Sequence, residues 1–249
     1  NIGGEHMTRA QLERLQMLAM TTWQRHFDDR QGLSPVEAVR YPAVKPALPA
    51  REPLLADKPQ HLIERTRSRV YDKHLGIRME IPEHLYNLGE LYNLSVERGT
   101  LTREDRFKIK EHIISTIKML ESLPFPEELA RVPRYASTHH ETLKGDGYPR
   151  KLTAAELSMP ERIIAVADIF EALTASDRPY KKAKTLSEAV SMLSDMAEEG
   201  HIDRDVFELF LTSGVYLEYG RRFLDPEQLD EVQVDRYLRR SRGVDSGNE

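Results

Sequence analysis

The most informative stretch of this chain is HHETLKGDGYP, which runs from residue 139 to residue 149. Neighbouring residues of a helix point about 100° apart, so His139 and His140 share one metal site only at a helix end or where metals lie astride the helix. The glycines and the proline around Tyr148 predict a tight loop that carries an aromatic ring. This pattern favours a metal or ligand site over two unrelated surface histidines.

A second stretch, residues 162 to 183, reads RIIAVADIFEALTASDRPYKKA and predicts an apolar helix followed by a basic turn. Asp168 lies inside the apolar part, where a carboxylate is costly unless it is paired or bound to a metal. Hydrogen bonds from a neighbouring helix or cation are the structural alternative. Arg178 and Lys181 follow the helix and can bind phosphate groups, although a solvated turn fits the same residues.

Together the two stretches resemble the C-terminal half of an HD-GYP domain, and the resemblance extends over about residues 60 to 233. It implies an all-α, multi-helix fold of the HD superfamily. Active members hydrolyse cyclic di-GMP at a centre of two or three metals, often iron or manganese, where a metal-activated hydroxide attacks phosphorus. The GYP loop lies at the pocket of these domains and can dock diguanylate-cyclase domains of the GGDEF type.

The resemblance also implies roles for individual residues of this chain. It implies four metal ligands, namely His112, His139, His140 and Asp168. It implies three substrate-binding residues, Tyr148, Arg178 and Lys181, and an interaction loop made of Gly147, Tyr148 and Pro149.

The His-Asp dipeptide that defines the family is absent from this sequence. Tyr86 and Asn87 occupy its two positions, Gly89 falls on the motif's glycine, and Glu90 replaces a lysine that faces phosphate. The chain therefore resembles a degenerate YN-GYP variant with no intact catalytic set. A second placement of the motif, on residues 92 and 93, loses the glycine and shortens the following loop.

These replacements change the chemistry of one half of the site. A bridging aspartate screens two cations less than ~4 Å apart, whereas the neutral amide of Asn87 cannot. A tyrosine phenol in water ionises only near pH 10 and is a poor ligand for a divalent ion at neutral pH, so Tyr86 does not replace a histidine, and Glu90 repels phosphate. The early histidine of the family has His61 as its nearest candidate, at a poor spacing. We expect at most one divalent metal, which is iron, manganese or a similar ion, or none.

The composition excludes several classes of function. The chain has 249 residues, with 36 Lys and Arg against 41 Asp and Glu, which leaves a net charge of −5. Nucleic-acid binders are usually basic, so we expect no nucleic-acid partner. The absence of cysteine excludes disulfides and thiolate metal ligands. No apolar run reaches the ~18–20 residues that cross a bilayer, and we expect a cytoplasmic protein.

Four segments are expected along the chain: an expression scar at residues 1–7, an N-terminal helix with a proline-rich extended linker at 8–59, the degenerate HD-GYP domain at 60–235, and a C-terminal tail at 236–249. The spacing of apolar residues predicts helices throughout. The predicted helices are Arg9–Phe27, Gln60–His74, Glu83–Val96, Arg103–Ser122, Glu127–Thr142, Ala154–Ala175, Leu186–Glu199, Arg204–Val215 and Pro226–Arg236.

Two functions remain open from the sequence, besides some unrelated use of the same scaffold. The first is a non-catalytic signalling module that acts through protein–protein interaction or nucleotide binding, with a GGDEF-domain protein or cyclic di-GMP as partner and a receiver or sensor domain upstream. The alternative is a weakly active, metal-dependent cyclic di-GMP phosphodiesterase. Such an enzyme works with one metal or recruits ligands from elsewhere, for example from Asp28 and Asp29 beside His26. A charged helix end explains that trio equally simply.

Overall fold

A computed structural model describes residues 6–45, 47–65, 71–176 and 183–238 of the chain. Arg178 and Lys181 lie outside the described residues, so their expected contact with phosphate stays a prediction. The chain divides into two compact units, one of residues 1–71 and 80–112 and one of residues 72–79 and 113–249.

The first unit combines short helices with four short strands. Strands β1 and β2 pair antiparallel, with Thr22 opposite Pro53, and β3 pairs antiparallel with β4, with Leu62 opposite Asn87. The elements of this unit, in chain order, are α1 (Arg9–Ala19), β1 (Thr22–Arg25), α2 (Pro35–Ala38), β2 (Ala50–Pro53), β3 (Leu62–Glu64), β4 (His84–Asn87), α3 (Glu90–Leu94) and α4 (Arg103–Lys110).

The second unit is helical. Phe207 is completely buried at its centre, and Phe170 packs edge-on against Phe210 at 4.9 Å between ring centroids. The apolar faces of its last four helices form one core. The helices, in chain order, are α5 (His112–Glu121, all but its first residue in this unit), α6 (Val132–Ala136), α7 (Met159–Thr174), α8 (Leu186–Glu198), α9 (Arg204–Thr212) and α10 (Val215–Phe223).

The expected helical fold is confirmed, and the two small sheets of the first unit are additions to it. The helix predicted over Gln60–His74 is wrong at residues 62–64, which form β3, and residues 66–70 of that prediction lie outside the described residues. The helix predicted over Glu83–Val96 holds only for α3, because residues 84–87 form β4. Backbone pairing between β3 and β4 satisfies the N–H and C=O groups of both segments, and this tertiary pairing overrides a local helical spacing. The helix predicted over Arg9–Phe27 ends at Ala19, since β1 begins at residue 22.

The C-terminal predictions also need correction. The helix predicted over Pro226–Arg236 is replaced by two single 3-10 turns, at Pro226–Gln228 and Val234–Arg236, because Val232 and Val234 pack against the core while the chain crosses it. Helix α10 was not expected. Gly214, with a φ of +75°, separates it from α9 and lets the chain reverse there.

A buried carboxylate fixes the start of α9. Asp203 accepts hydrogen bonds from the backbone N–H groups of Asp205 and Val206, and it pairs with Arg162 at 2.6 Å. Burial by itself raises the pKa of Asp203, but the hydrogen bonds from Arg162 and from the two N–H groups outweigh burial and lower that pKa below its ordinary value of 3.8. The ionised form of Asp203 therefore stabilises the folded state.

We expect Asp203→Asn to lower the free energy of unfolding at pH 7 by about 1.5–3 kcal/mol, because the charged hydrogen bond to Arg162 is lost. A carboxylate with a depressed pKa contributes stability above its unfolded pKa and loses it as the pH falls through the folded pKa. The difference between the two proteins should therefore shrink below pH 3.8. Urea unfolding across this range measures it. The exposed Asp195→Asn on α8 is the control, and equal losses in both variants would contradict the assignment.

No helix among the described residues is both long and apolar enough to cross a bilayer.

Candidate metal site

Three imidazoles lie together at the start of α5 and in the turn after α6. His112, His139 and His140 each offer a ring nitrogen, and the three nitrogen atoms lie within 4.8 Å of one another. His112 is the first residue of α5. Among the described residues this is the one group of three or more histidines or carboxylates with such spacing. A set of three imidazoles suits a divalent transition metal.

Backbone carbonyls set the tautomer of two of these rings. The Nδ1 atom of His112 lies 2.6 Å from the carbonyl oxygen of Ile109, and the Nδ1 atom of His139 lies 2.9 Å from that of Ala136. A carbonyl oxygen only accepts, so in each ring Nδ1 is the donor and the neutral ring carries its lone pair on Nε2. Metal-binding histidines are oriented in this way in many proteins. The residues present therefore fit a metal.

The GYP loop lies directly against the histidine turn. The backbone N–H of Tyr148 donates to the carbonyl of His140 at 3.1 Å. A Cβ atom on Gly147 would approach the backbone of Glu141, His140 and Thr142 to 2.6 Å. Because those contacts are backbone atoms, only glycine lets the loop pack this closely.

A buried carboxylate holds the loop in this position. Glu141 is 3% exposed, and its two oxygens accept from the backbone N–H groups of Arg150 at 2.7 Å and of Leu152 at 2.9 Å. Burial raises the pKa of Glu141 above its ordinary value, despite the two N–H groups that lower it. Glu141 directly follows the histidine pair, so its bonds tie the loop to the residues that carry the rings.

Tyr148 covers one of the histidines. Its ring stacks on that of His140 with centroids 4.6 Å apart and planes 24° from parallel. Burial, followed by the negative charge of Asp168, raises the pKa of Tyr148 to about 12. The phenol is therefore neutral at physiological pH and can donate a hydrogen bond. Gly147 and Pro149 are buried, so the accessible surface of the GYP tripeptide belongs to the half-buried Tyr148.

Asp168 does not join the three histidines in that group. It lies half-buried on α7, and its charge acts on Tyr148. The structure thus brings together three of the four expected metal ligands, while the negative charge of the fourth acts on Tyr148, whose ring stacks on His140.

Tyr86 and Asn87, which stand at the dipeptide positions, are the last two residues of strand β4. Successive side chains of a strand point to opposite faces of the sheet, so these two side chains diverge. The side-chain oxygen of Asn87 accepts from the N–H of Gly89 at 2.9 Å, which occupies it in a local turn.

Residues 50–61, which we call the arm, pack against Gly89 and Glu90. The carboxylate of Glu90 accepts from the N–H of Ala56 at 2.9 Å, and the carboxylate of Asp57 accepts from the N–H of Tyr92 at 3.1 Å, in the first turn of α3. A Cβ atom on Gly89 would collide with a carboxylate oxygen of Asp57. Gly89 and Glu90, at the motif's glycine and lysine positions, therefore contribute to the packing of the arm.

The remaining candidates also have structural partners. Tyr92, from the second placement of the motif, donates to Glu104 at 2.8 Å, and the Nδ1 atom of His61 accepts from the N–H of Lys58 at 3.3 Å. Asp28 pairs with Arg30 at 3.0 Å, and the hydrogen bonds from that arginine lower the pKa of Asp28 to about 2. Asp29 lies 3.4 Å from the buried Arg25.

A family profile described as an HD domain matches residues 49–206, which is more than half of the chain. The chain belongs to the HD-domain family. Its resemblance to the HD-GYP branch is confirmed by the curated proteins that it matches.

Three of these relatives illustrate the likeness. A 3'3'-cGAMP-specific phosphodiesterase of Vibrio cholerae is 31% identical over 148 residues, which cover 56% of this chain and 33% of that protein. A cyclic di-GMP phosphodiesterase of Pseudomonas aeruginosa is 31% identical over 140 residues, 56% of this chain and 30% of the relative. A cyclic di-GMP phosphodiesterase response regulator of Xanthomonas campestris is 31% identical over 120 residues, 46% of this chain and 31% of the relative. The chain therefore spans about a third of the length of these HD-GYP relatives.

Two residues of the HD-GYP site were not assigned a role from the sequence. Glu141 could have been found, because an acid directly between a histidine pair and a glycine-rich loop is a natural acceptor for loop N–H groups. Asp57 could not, since it lies 35 residues from the N–H group that it accepts from. Only the folded arm places it beside Gly89.

Gly89→Ala tests whether the arm is packed on the dipeptide region. Because the new methyl displaces the carboxylate of Asp57 from the first turn of α3, we expect a loss of about 1 kcal/mol, typical of a lost helix cap. In an Asp57→Ala background the same change should be neutral or slightly stabilising, since alanine restricts the unfolded chain. Chemical denaturation of the four proteins gives this coupling. Equal effects of Gly89→Ala in both backgrounds would contradict the packing.

Gly147→Ala tests the close approach of the GYP loop to the histidine turn. The added methyl pushes the loop away from residues 140–142, so we expect Co²⁺ affinity to fall at least tenfold, within the range seen when the support of a metal ligand is lost. Gly214→Ala is the matched control, because it is strained by its positive φ but meets no atom within 4 Å. It should lower stability by about 1–2 kcal/mol and leave Co²⁺ affinity unchanged. Equal Co²⁺ affinities in the two variants would refute the role of Gly147.

Proposed function

We propose that this chain is a degenerate HD-GYP signalling module that holds at most one divalent metal and does not turn over cyclic di-GMP as an active phosphodiesterase does. The observation that carries the proposal is the state of the dipeptide positions. Tyr86 and Asn87 are the last two residues of strand β4, and the side-chain oxygen of Asn87 accepts from the N–H of Gly89. Neither side chain replaces the missing histidine or the missing bridging carboxylate.

The metal in this proposal is held by His112, His139 and His140, with Asp168 beside Tyr148. Iron, manganese or a similar ion suits such a set. When bound, a metal of this kind acts as a Lewis acid and lowers the pKa of a coordinated water. Asn87 contributes no negative charge to screen a second cation. The supporting observations are the clustered ring nitrogens and the carbonyl bonds that leave Nε2 of His112 and His139 as the lone-pair atom.

The module is proposed to act by binding. Cyclic di-GMP is one ligand in this proposal, since several of the curated relatives carry its name as their substrate. Tyr148, Arg178 and Lys181 would contact it, through the aromatic ring and the phosphate groups. A GGDEF-domain protein is the proposed protein partner, and a receiver or sensor domain is proposed upstream, in a cytoplasmic protein. The relative from Xanthomonas campestris is a response regulator, which supports the upstream domain.

A weakly active, metal-dependent phosphodiesterase is the second candidate. It is favoured by one observation, namely that the curated relatives are named as phosphodiesterases of cyclic di-GMP or of 3'3'-cGAMP. In that case the three histidines act with a single metal, because the alternative carboxylates Asp28 and Asp29 are paired with arginines.

Metal content and turnover separate the two candidates. For protein purified without chelator and supplied with Mn²⁺ or Fe²⁺ under anaerobic conditions, we expect one equivalent or less and no cyclic-dinucleotide turnover above ~0.1 s⁻¹, well below the usual 1–10³ s⁻¹ of enzymes. His139→Ala should abolish metal retention, whereas His74→Ala should not, because that histidine side chain is 66% exposed and lies outside the cluster.

Elemental analysis and chromatography of cyclic di-GMP and 3'3'-cGAMP incubations make these measurements. Two bound equivalents with metal-dependent turnover above that rate would favour the enzyme. Direct titration of cyclic di-GMP into the protein reports the binding role independently of turnover.

A further inference from the structure

Arg150 directly follows the GYP tripeptide and forms hydrogen bonds with residues on both sides of the histidine pair in the sequence. Its backbone N–H donates to Glu141, the residue after the pair, at 2.7 Å. Its Nη1 atom donates to the hydroxyl of Ser137 at 2.8 Å, and Ser137 caps the C-terminus of α6, two residues before His139. One residue therefore holds the turn of the histidine pair on both sides.

The same guanidinium reaches two further elements. Its Nε atom donates to the carbonyl of Leu75 at 2.9 Å, in the segment of residues 72–79, which also contacts the loop through a bond from the N–H of Arg78 to the carbonyl of Pro149. Its Nη2 atom lies 3.5 Å from the carboxylate of Glu121, the last residue of α5. That helix begins with His112, so Arg150 connects the two elements that carry the three rings.

The chemistry of these contacts requires an arginine. The side chain is 14% exposed, and burial lowers the pKa of Arg150 without deprotonating so strong a base. A buried guanidinium is tolerated when its N–H groups are satisfied, and here three directions are filled by a carbonyl, a hydroxyl and a carboxylate. The planar fork fixes those directions at once, whereas a lysine satisfies them as a single point charge.

We propose that Arg150 is a positioning residue of the three-histidine metal site, which sets the affinity and the coordination geometry of the bound metal without touching it. This inference rests on the metal site of the proposed function. It assigns a role to the residue that follows the GYP motif, and the role is mechanical: the guanidinium holds the histidine turn at a fixed distance from helix α5.

Arg162 provides a matched control. It lies in the same unit and makes the same kinds of contact, because its Nε atom donates to the carbonyl of Leu157, its Nη2 atom donates to that of Ala154, and its Nη1 atom pairs with Asp203. None of these contacts touches the turn that carries the histidine pair. A variant that lacks Arg162 therefore shows how the removal of a well-bonded arginine changes the stability of the fold alone.

The experiment titrates Co²⁺ into the wild-type protein, Arg150→Met, Arg150→Lys and Arg162→Met, and records affinity, the visible d–d spectrum and the urea unfolding curve. We expect Co²⁺ affinity to fall 10–100-fold in Arg150→Met, as when a residue behind a metal ligand is removed, with an altered d–d spectrum. Arg150→Lys should not restore the wild-type spectrum. Arg162→Met should lose stability but keep the wild-type spectrum and affinity.

Each outcome decides the question. If the wild-type protein binds Co²⁺ and Arg150→Met matches it in affinity and spectrum, the positioning role is wrong while the metal site stands. If Arg150→Met and Arg162→Met weaken binding equally, the effect is one of stability and the positioning role is again wrong. If the wild-type protein binds no Co²⁺, the metal site and this role fail together.

A milder variant covers the case in which Arg150→Met does not fold. Ser137→Ala removes only the hydroxyl that accepts from Nη1. We expect a smaller loss of Co²⁺ affinity with the same direction of spectral change. Wild-type affinity and spectrum in both Ser137→Ala and Arg150→Lys would overturn the proposal.

Discussion

The site depends on the close packing of two backbone segments, in which the GYP loop rests on residues 140–142 with no side chain between them. Gly147 permits this approach, since a Cβ atom there would meet backbone at 2.6 Å. The carboxylate of Glu141 then holds the loop by accepting hydrogen bonds from the N–H groups of Arg150 and Leu152. The stacking of Tyr148 on His140 follows from this packing, and so does the position of Arg150 behind the histidine turn.

This chain retains the donor atoms of one half of an HD-GYP site and replaces the residues of the other half. The histidine half keeps the donor atoms and the carbonyl bonds that orient them. At the dipeptide half, two of the three replaced residues have a hydrogen bond that belongs to the fold, since Asn87 accepts from Gly89 and Glu90 accepts from Ala56 of the arm. A side chain that completes a turn or holds a neighbouring segment is constrained by stability and not by metal chemistry.

The local sequence pattern was enough to predict secondary structure where residues interact with their neighbours in the sequence. The bounds of α8 and α9 were predicted within about three residues from the spacing of apolar residues, and the tight loop around Tyr148 was predicted from its glycines and proline. Prediction from the local sequence pattern failed where segments distant in the chain pair with each other. Strands β3 and β4 lie about 20 residues apart and have helical apolar spacing, but each forms a strand because the other supplies its hydrogen bonds. Gly89 is explained by Asp57, and nothing in the local sequence links them.

The sequence by itself determined the family, the mainly helical class, the three histidines and the absence of the His-Asp dipeptide, because each of these is a matter of residue type and spacing. The tertiary structure decided which donors meet. It clustered three imidazoles without Asp168, stacked Tyr148 on His140, and turned Arg150 from a loop residue into a connection between helix α5 and the histidine turn. Distances of a few ångströms between residues far apart in the chain arise only from packing, so no motif could have shown them.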